Sequence, residues 1–187
     1  MRRIASLYIG GPDAAMPEGA NRLTEKRMLC QDRGFAPVLS TDGVLVETEP
    51  SEAMAREMYA DRVQRLRQAD AAILNFTPWR GPGCYSGAAF EAGFLAALGK
   101  PVFAYLNVET EDEAELKTRI GHSMGLELDR KGVVRDGFGG EVEDFGLPED
   151  LMLWAEARRL FVIVTADVWN DLTGFELCLD AVKLYSD

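Results

Sequence analysis

The residue most suited to chemistry in this sequence is Glu91, a carboxylate among small and apolar neighbours. It stands in the run Ser-Gly-Ala-Ala-Phe-Glu-Ala-Gly-Phe at residues 86–94, about one turn inside a predicted helix. A carboxylate in such surroundings costs free energy unless it has a partner or a chemical purpose. The plainer interpretation fits the pattern equally well: an acidic residue near a helix start, favoured by the macrodipole and pointing to water.

Other reaction types find less support in the sequence. His122 is the single histidine, so a Ser-His-Asp or Cys-His mechanism would depend on it entirely. The Gly10–Gly11 pair lacks the spacing of a dinucleotide fingerprint. The many carboxylates do not show the spacing of a calcium-binding loop. We therefore expect no cofactor and no metal, and Glu91 remains the main candidate.

The charge balance is acidic, because 20 Lys and Arg stand against 31 Asp and Glu, for a net charge of −11. Such a surface repels phosphate backbones, which argues against nucleic acid as a partner. No segment approaches the roughly 18 apolar residues of a membrane helix, and the first apolar run is too short for a secretion signal. The three cysteines show no CxxC spacing, as is typical of thiols in a reducing compartment. We therefore expect a cytoplasmic protein without a membrane partner.

Alternating strand and helix patterns must position Glu91. Strands are predicted at residues 4–9, 35–39, 71–76, 101–106 and 160–165, and helices at 17–33, 51–68, 87–98, 148–158 and 167–185. A weak helix signal covers 109–119, and the Gly-rich stretch 121–146 is typical of a functional or mobile connection. The alternation predicts one domain over residues 1–187, with a parallel sheet between two helix layers. Ligands bind such sheets at the carboxyl ends of the strands. That places the chemistry in residues 8–12, residues 75–82 and the turn before Gly87.

Six segments match, in order and spacing, a pattern known from one enzyme family. They read LYIGGP at 7–12, QADAAIL at 68–74, FTPWRGP at 76–82, SGAAFEAGF at 86–94, GKPV at 99–102 and EDFGLPEDLML at 143–153. On these segments the chain resembles the nucleoside 2-deoxyribosyltransferases. The resemblance implies an α/β fold of the flavodoxin-like kind, a three-layer sandwich around a parallel five-stranded sheet.

The resemblance also implies roles for single residues. Glu91 matches the nucleophile, and a carboxylate suits this role because it can attack an anomeric carbon and hold a covalent glycosyl intermediate. Tyr8 matches a tyrosine that orients this nucleophile by a hydrogen bond. The other matched residues that we expect near the substrate are Gly10, Gly11, Pro12, Asp70, Phe76, Trp79, Arg80 and Gly87. Two alternatives stay open: Asp70 as a helix-to-strand turn residue, and Trp79 as packing rather than a surface for base stacking.

The sequence departs from the family pattern beside the nucleophile. Six residues before Glu91, where the family has an Asp that handles the proton of the nucleobase, stands Tyr85. Its phenol can donate a hydrogen bond but is a poor base at neutral pH. Eight residues before Asp70, where related proteins often have Asn or Asp, stands Arg62, so the adjacent Asp61 is a further candidate for substrate binding.

A second departure concerns the segment around Asp150 and Met152. It matches an Asn-Leu-Met element that, in the family, reaches a neighbouring subunit's site and helps to hold the sugar 5′-hydroxyl. Asp150 in place of Asn keeps an acceptor, loses the donors and would repel a 5′-phosphate, which favours nucleosides over nucleotides. Asp150 as the N-cap of the following helix is nearly as well supported. The resemblance thus implies a homo-oligomer.

The expected function is cleavage of the N-glycosidic bond of a nucleoside through a covalent Glu91 intermediate, with transfer of the sugar to another nucleobase. The partners are then a small nucleoside and a nucleobase. Two alternatives remain open. One is an N-glycosidase that hydrolyses a nucleoside or nucleotide on the same fold. The other is a non-catalytic nucleoside-binding relative that has lost the acid.

Overall fold

The computed structural model describes residues 3–41 and 49–186, in which strands and helices alternate along most of the chain. The strands are β1 (Ser6–Gly10), β2 (Ala36–Leu39), β3 (Ala71–Asn75), β4 (Val102–Val108), β5 (Leu126–Leu128), β6 (Val134–Asp136) and β7 (Ala157–Val164). The helices are α1 (Gly19–Asp32), α2 (Glu52–Gln68), α3 (Ser86–Ala97), α4 (Leu116–Met124), α5 (Leu151–Glu156) and α6 (Thr173–Ser186). The five predicted strands occur in the predicted order, with predicted helices between the first four of them, so this part of the prediction is confirmed.

Five strands form one parallel sheet in the order β2-β1-β3-β4-β7. Helices cover both faces, so the predicted three-layer α/β sandwich is confirmed. The strand order reverses at β1, since β2 lies on one side of it and β3 on the other. Ligands in such sheets bind at the carboxyl ends of the strands next to this reversal.

Alternation along the central strands divides the core into two layers. Leu7 and Ile9 of β1 pack with residues of α1 and α6 on one face of the sheet. Tyr8, between them, packs on the other face with Leu66 of α2 and Ala88 of α3. Because side chains along a strand point alternately to opposite faces, the position of Tyr8 follows from its place in the strand.

The second half of the chain contains more regular structure than the sequence pattern predicts. The stretch 121–146 includes the end of α4 and an antiparallel hairpin of β5 and β6. Strands of three residues with exposed or half-buried side chains leave no clear period in the sequence. The helix predicted at 148–158 is only Leu151–Glu156 long, because the chain joins the sheet as β7 from Ala157. The helix predicted from residue 167 begins at Thr173, whose amide donates to Asp171.

Within residues 3–41 and 49–186, no helix has both the length and the apolar composition needed to cross a bilayer.

Candidate active site

Tyr8 and Glu91 meet between the sheet and α3. Tyr8 points from the middle of β1 to the face that α3 covers, and Glu91 lies in the second turn of α3. The Tyr8 hydroxyl donates a hydrogen bond to Oε1 of Glu91 at 2.7 Å. Tyr8 is fully buried and Glu91 is only 7% exposed. The structure thus brings together the residues predicted as the nucleophile and its orienting tyrosine, and the water-facing alternative for Glu91 does not describe this geometry.

Burial governs the titration of this pair. It raises the pKa of Glu91 to about 7, while the hydrogen bond from Tyr8 and the positive charge of Arg62 lower it. Burial, together with the neighbouring Glu91, raises the pKa of the Tyr8 hydroxyl well above its usual range, so Tyr8 stays protonated and donates. A buried carboxyl group whose pKa lies near neutrality is typical of functional positions.

Gly10 leaves room for the second oxygen of Glu91. A Cβ atom at this position would stand 2.3 Å from Oε2 of Glu91 and 2.8 Å from the Tyr8 ring. Among the described residues, Oε2 has no hydrogen-bond partner. Glycine at the end of β1 therefore allows the carboxylate to approach the strand, and Oε2 is buried there without a hydrogen-bond partner among the described residues.

The carboxylate lines a cavity of about 480 Å³, a size within the range of small-molecule sites. The cavity lies at the carboxyl ends of β1 and β2. Its wall includes Gly11 and Pro12 after β1, Ser40 and Thr41 after β2, residues 14–16, Glu18 and the first residues of α1, Met58 and Arg62 of α2, and Tyr85. The predicted substrate contacts Gly11 and Pro12, and Tyr85, which stands at the position of the family's proton-handling Asp, thus share one cavity with Glu91.

Tyr85 is held at this wall by the start of α3. It is the N-cap residue of the helix, and its ring packs against the backbone of Gly87. A Cβ atom at Gly87 would come within 2.4 Å of the Tyr85 ring. Gly87 has no side chain, so the Tyr85 ring can lie beside the cavity, and this is how Gly87 contributes to the site.

Comparison with known families settles the relationship of the chain. The family model described as nucleoside 2-deoxyribosyltransferase matches residues 7–152. The chain belongs to this family. A comparison with curated proteins finds no match.

Solved structures agree with the fold. A 2-deoxyribosyltransferase from Leishmania mexicana is 24% identical, with a TM-score of 0.60 over 94% of this chain and 97% of that one. A conserved protein from Enterococcus faecalis V583 is 14% identical, with a TM-score of 0.55 over 97% and 99% of the two chains. A 2-deoxyribosyltransferase from Bacillus psychrosaccharolyticus is 20% identical, with a TM-score of 0.46 over 54% and 72%. The first two similarities support the flavodoxin-like sandwich.

Asp70, a carboxylate that matches the family pattern, does not line the cavity of Glu91. Oδ2 of Asp70 accepts hydrogen bonds from the amides of Ala5 and Ser6 and from the Ser6 hydroxyl, at 2.9 to 3.0 Å. It therefore ties the beginnings of β1 and β3 together, at the end of the sheet opposite Glu91. This geometry agrees with the structural alternative, in which Asp70 is a turn residue.

Asp61 faces away from Glu91. Its Oδ2 pairs with Nε of Arg65, one turn on, at 2.7 Å, and the residue lines a different cleft beside β2. The next residue, Arg62, lies in the wall of the Glu91 cavity instead. One position along a helix rotates a side chain by about 100°, which is enough to move it from one face to another.

The loop after β3 also lies outside the Glu91 cavity. Phe76 is fully buried in the core layer that contains Tyr8. Trp79 packs edge-to-face on Trp169, with ring centroids 5.5 Å apart, and lines a separate cavity. The Arg80 guanidinium stacks 5.3 Å from the Trp79 ring centre. Within this chain Trp79 packs on Trp169, as the packing alternative describes.

Asp150 caps its own helix. Its Oδ1 accepts a hydrogen bond from the amide of Met152 at 2.9 Å, at the start of α5. Met152 is 71% exposed. Neither residue lines the cavity that holds Glu91 of the same chain.

Arg62 and Met58 line the cavity although neither is predicted as a substrate contact. Arg62 stands at the position where related proteins often have Asn or Asp, and that match was a signal for it. Met58 and Arg62 stand four positions apart on α2 and therefore share one face of that helix. This spacing was a readable signal, but it does not show which face of α2 meets the cavity. In the described parts of the chain, no group of three or more His, Cys, Asp or Glu side chains is arranged for a metal ion.

Proposed function

We propose that the chain is a nucleoside 2-deoxyribosyltransferase in which Glu91 carries the sugar as a covalent intermediate. One observation carries the proposal: the Glu91 carboxylate accepts a hydrogen bond of 2.7 Å from Tyr8 and also lines a cavity of about 480 Å³. The substrates proposed are a nucleoside and a free nucleobase, which the family description supports.

The first half-reaction uses the oxygen that Tyr8 leaves free. Oε1 of Glu91 is held by Tyr8, and Oε2 is buried without a hydrogen-bond partner among the described residues, so we assign to Oε2 the bond to the anomeric carbon of the sugar. The bond from that carbon to the base nitrogen breaks, and its electron pair leaves with the base, which takes up a proton. The transition state resembles an oxocarbenium ion, which a neighbouring carboxylate stabilises by its charge.

The second half-reaction reverses the first with another base. A ring nitrogen of the incoming base attacks the anomeric carbon and loses its proton, and the carboxylate departs with the electron pair of the ester bond. Tyr8 and Arg62 favour the charged form of Glu91, as the lowering of its pKa by both groups shows. They therefore stabilise the leaving carboxylate. Water in place of the second base would yield hydrolysis.

The exchange assay separates the possible functions. The protein is incubated with a deoxynucleoside, alone and with a second base, and the products are followed by chromatography. Formation of the exchanged nucleoside is expected and supports the transferase. Free base without exchange would identify an N-glycosidase. Neither product across a panel of nucleosides would contradict an enzyme and indicate a nucleoside-binding protein.

Tyr85 is proposed to hydrogen-bond the nucleobase, since it lines the cavity beside Glu91. Tyr85→Phe removes only the hydroxyl and is expected to slow base exchange about 3- to 10-fold, the value of one neutral hydrogen bond.

Tyr85→Asp restores the residue of the family pattern and is expected to raise the exchange rate, because a general acid contributes about 10²- to 10⁴-fold. Both rates are measured at saturating nucleoside. An unchanged rate in Tyr85→Phe would exclude a role for the hydroxyl.

Tyr8→Phe is expected to reduce kcat about 10- to 100-fold, because a hydrogen bond to a charged group orients the nucleophile. The carboxylate must be ionised to attack, so kcat/KM rises with pH through the Glu91 pKa of about 7. Since the Tyr8 hydrogen bond lowers this pKa, the variant's acidic limb should move to higher pH. The pH profile of kcat/KM measures it, with the exposed Tyr59→Phe as the matched control. A limb that stays in place would contradict the orienting role.

A homo-oligomer is proposed for the same enzyme. The short helix α5 presents Met152 at 71% and Trp154 at 46% exposure. Large apolar side chains of this exposure favour a surface that a partner covers. The resemblance implies that this segment lies near a neighbouring subunit's site, which agrees with its absence from the cavity of its own chain.

A further inference from the structure

Two buried cations lie on α1, and only one of them pairs with a carboxylate. Arg22 and Lys26 are one turn apart and only 5% and 0% exposed. Lys26 pairs with Oδ1 of Asp13 at 2.5 Å. Arg22 donates instead to two neutral acceptors, Oδ1 of Asn170 at 2.8 Å and the carbonyl of Pro17. The positive charge of Arg22 therefore has no carboxylate in contact within the part of the chain that the structure describes.

A buried guanidinium without a counter-charge is costly, and it becomes favourable when an anion reaches it. Arg22 lines a cavity of about 240 Å³, together with Met16, Pro17, Glu18, Trp79, Trp169 and Asn170. This cavity is smaller than the roughly 300–1,000 Å³ of sites for drug-sized molecules. Its size thus fits a small ion or group rather than a whole nucleoside.

Two N–H groups in this wall lack a hydrogen-bond acceptor among the described residues. They are Nε of Arg22 and the indole Nε1 of Trp79, and both are buried. Buried donors normally have acceptors, and both of these donors belong to residues that line one cavity, so an acceptor bound there could complete their hydrogen bonds. Glu18 also borders the cavity, but it is exposed and its carboxylate accepts from Asn21 at 2.6 Å.

We propose that the cavity between Arg22 and Trp79 binds a small oxyanion such as phosphate. The anion would neutralise the guanidinium and accept hydrogen bonds from Nε of Arg22 and Nε1 of Trp79. Met16 and Glu18 border both this cavity and the one that contains Glu91, so the oxyanion site adjoins the proposed substrate site. The same chemistry is offered by free phosphate and by the phosphate group of a nucleotide.

The test follows tryptophan fluorescence, because Trp79 and Trp169 both border the cavity. The full chain is titrated with inorganic phosphate at an ionic strength held constant with chloride. A saturable change in emission is expected. Trp79→Phe keeps an aromatic ring, removes the N–H donor and leaves Trp169 as reporter, and it should weaken phosphate binding about tenfold. Tyr59→Phe changes an exposed aromatic ring of α2 outside this cavity, so it is the control and should bind phosphate like the parent.

Arg22→Gln should abolish the saturable change, and its thermal melting curve shows whether it folds. If Arg22→Gln does not fold, Trp79→Phe alone decides. No saturable response to phosphate or to a deoxynucleoside 5′-monophosphate, or equal affinity in Trp79→Phe, would overturn the proposal.

Two further arms identify the source of the anion. If the substrate supplies it, Trp79→Phe weakens binding of a deoxynucleoside 5′-monophosphate but not of the deoxynucleoside. If it is free phosphate, phosphate and the deoxynucleoside bind together. Glu91→Ala is expected to retain phosphate binding, so the oxyanion site and the proposed reaction can fail separately.

Discussion

Glu91→Ala is expected to lower the rate of base exchange by about 10⁴-fold or more, the loss typical of removing a covalent nucleophile. The structure places no other described carboxylate in contact with the Tyr8 hydroxyl, whose bond to Oε1 of Glu91 is 2.7 Å long. Without this carboxylate no group accepts the sugar at its anomeric carbon, and no negative charge stabilises the oxocarbenium-like transition state. The initial rate of nucleoside exchange, followed by chromatography, measures the effect.

The covalent step has a separate readout. Mass spectrometry of the protein, quenched in acid after incubation with a deoxynucleoside, should show a sugar adduct in the parent and none in Glu91→Ala. The matched control is Glu57→Ala, which removes an exposed carboxylate of α2 and should keep the parent's rate and adduct. Near-normal exchange by Glu91→Ala would show that another group carries the sugar.

Glu91→Gln is expected to stabilise the folded protein at pH 8 by roughly 2–3 kcal/mol while it abolishes exchange. The pKa of Glu91 is about 7 in the folded chain against an ordinary 4.5, because burial disfavours the charged form. Between these values the folded state holds a proton that the unfolded state has lost. The contribution of Glu91 to stability therefore falls as the pH rises from about 4.5 to about 7, and it stays low above that pH.

Glutamine remains neutral at every pH in this range and still offers an oxygen to Tyr8. The parent and Glu91→Gln should therefore have similar free energies of unfolding near pH 4.5 and diverge toward pH 8. Urea unfolding at both pH values measures this, and all other titrating groups cancel in the comparison. A variant that is less stable than the parent at pH 8 would show that the carboxylate is favourably placed in the folded state. The expected gain would mean that the buried carboxylate lowers the free energy of unfolding, and that the protein keeps it for the proposed reaction rather than for stability.

The sequence by itself predicts most of the strands and helices and, for some side chains, the face of the sheet on which they lie. The alternation of Leu7, Tyr8 and Ile9 in a buried strand places Tyr8 on the face opposite its neighbours, as the two core layers show. The run 86–94 predicts a helix that carries Glu91, and α3 begins at Ser86. The order of strands and helices predicts the parallel sheet, since parallel neighbours require a crossover. These features depend on local periodicity, which a single chain displays directly.

The tertiary structure alone decided which of the predicted side chains lie in the Glu91 cavity and which lie elsewhere. Arg62 rather than Asp61 lines the cavity of Glu91 because the docking of α2 on the sheet selects one helix face, and sequence spacing does not contain that rotation. Asp70 opens β3 and so lies at the end of the sheet away from the carboxyl ends of the strands, where it binds the start of β1. Contacts such as Tyr8 with Glu91 and Arg22 with Asn170 join residues far apart in the sequence. They arise only when packed elements meet, and the same packing raises the pKa of Glu91 through burial.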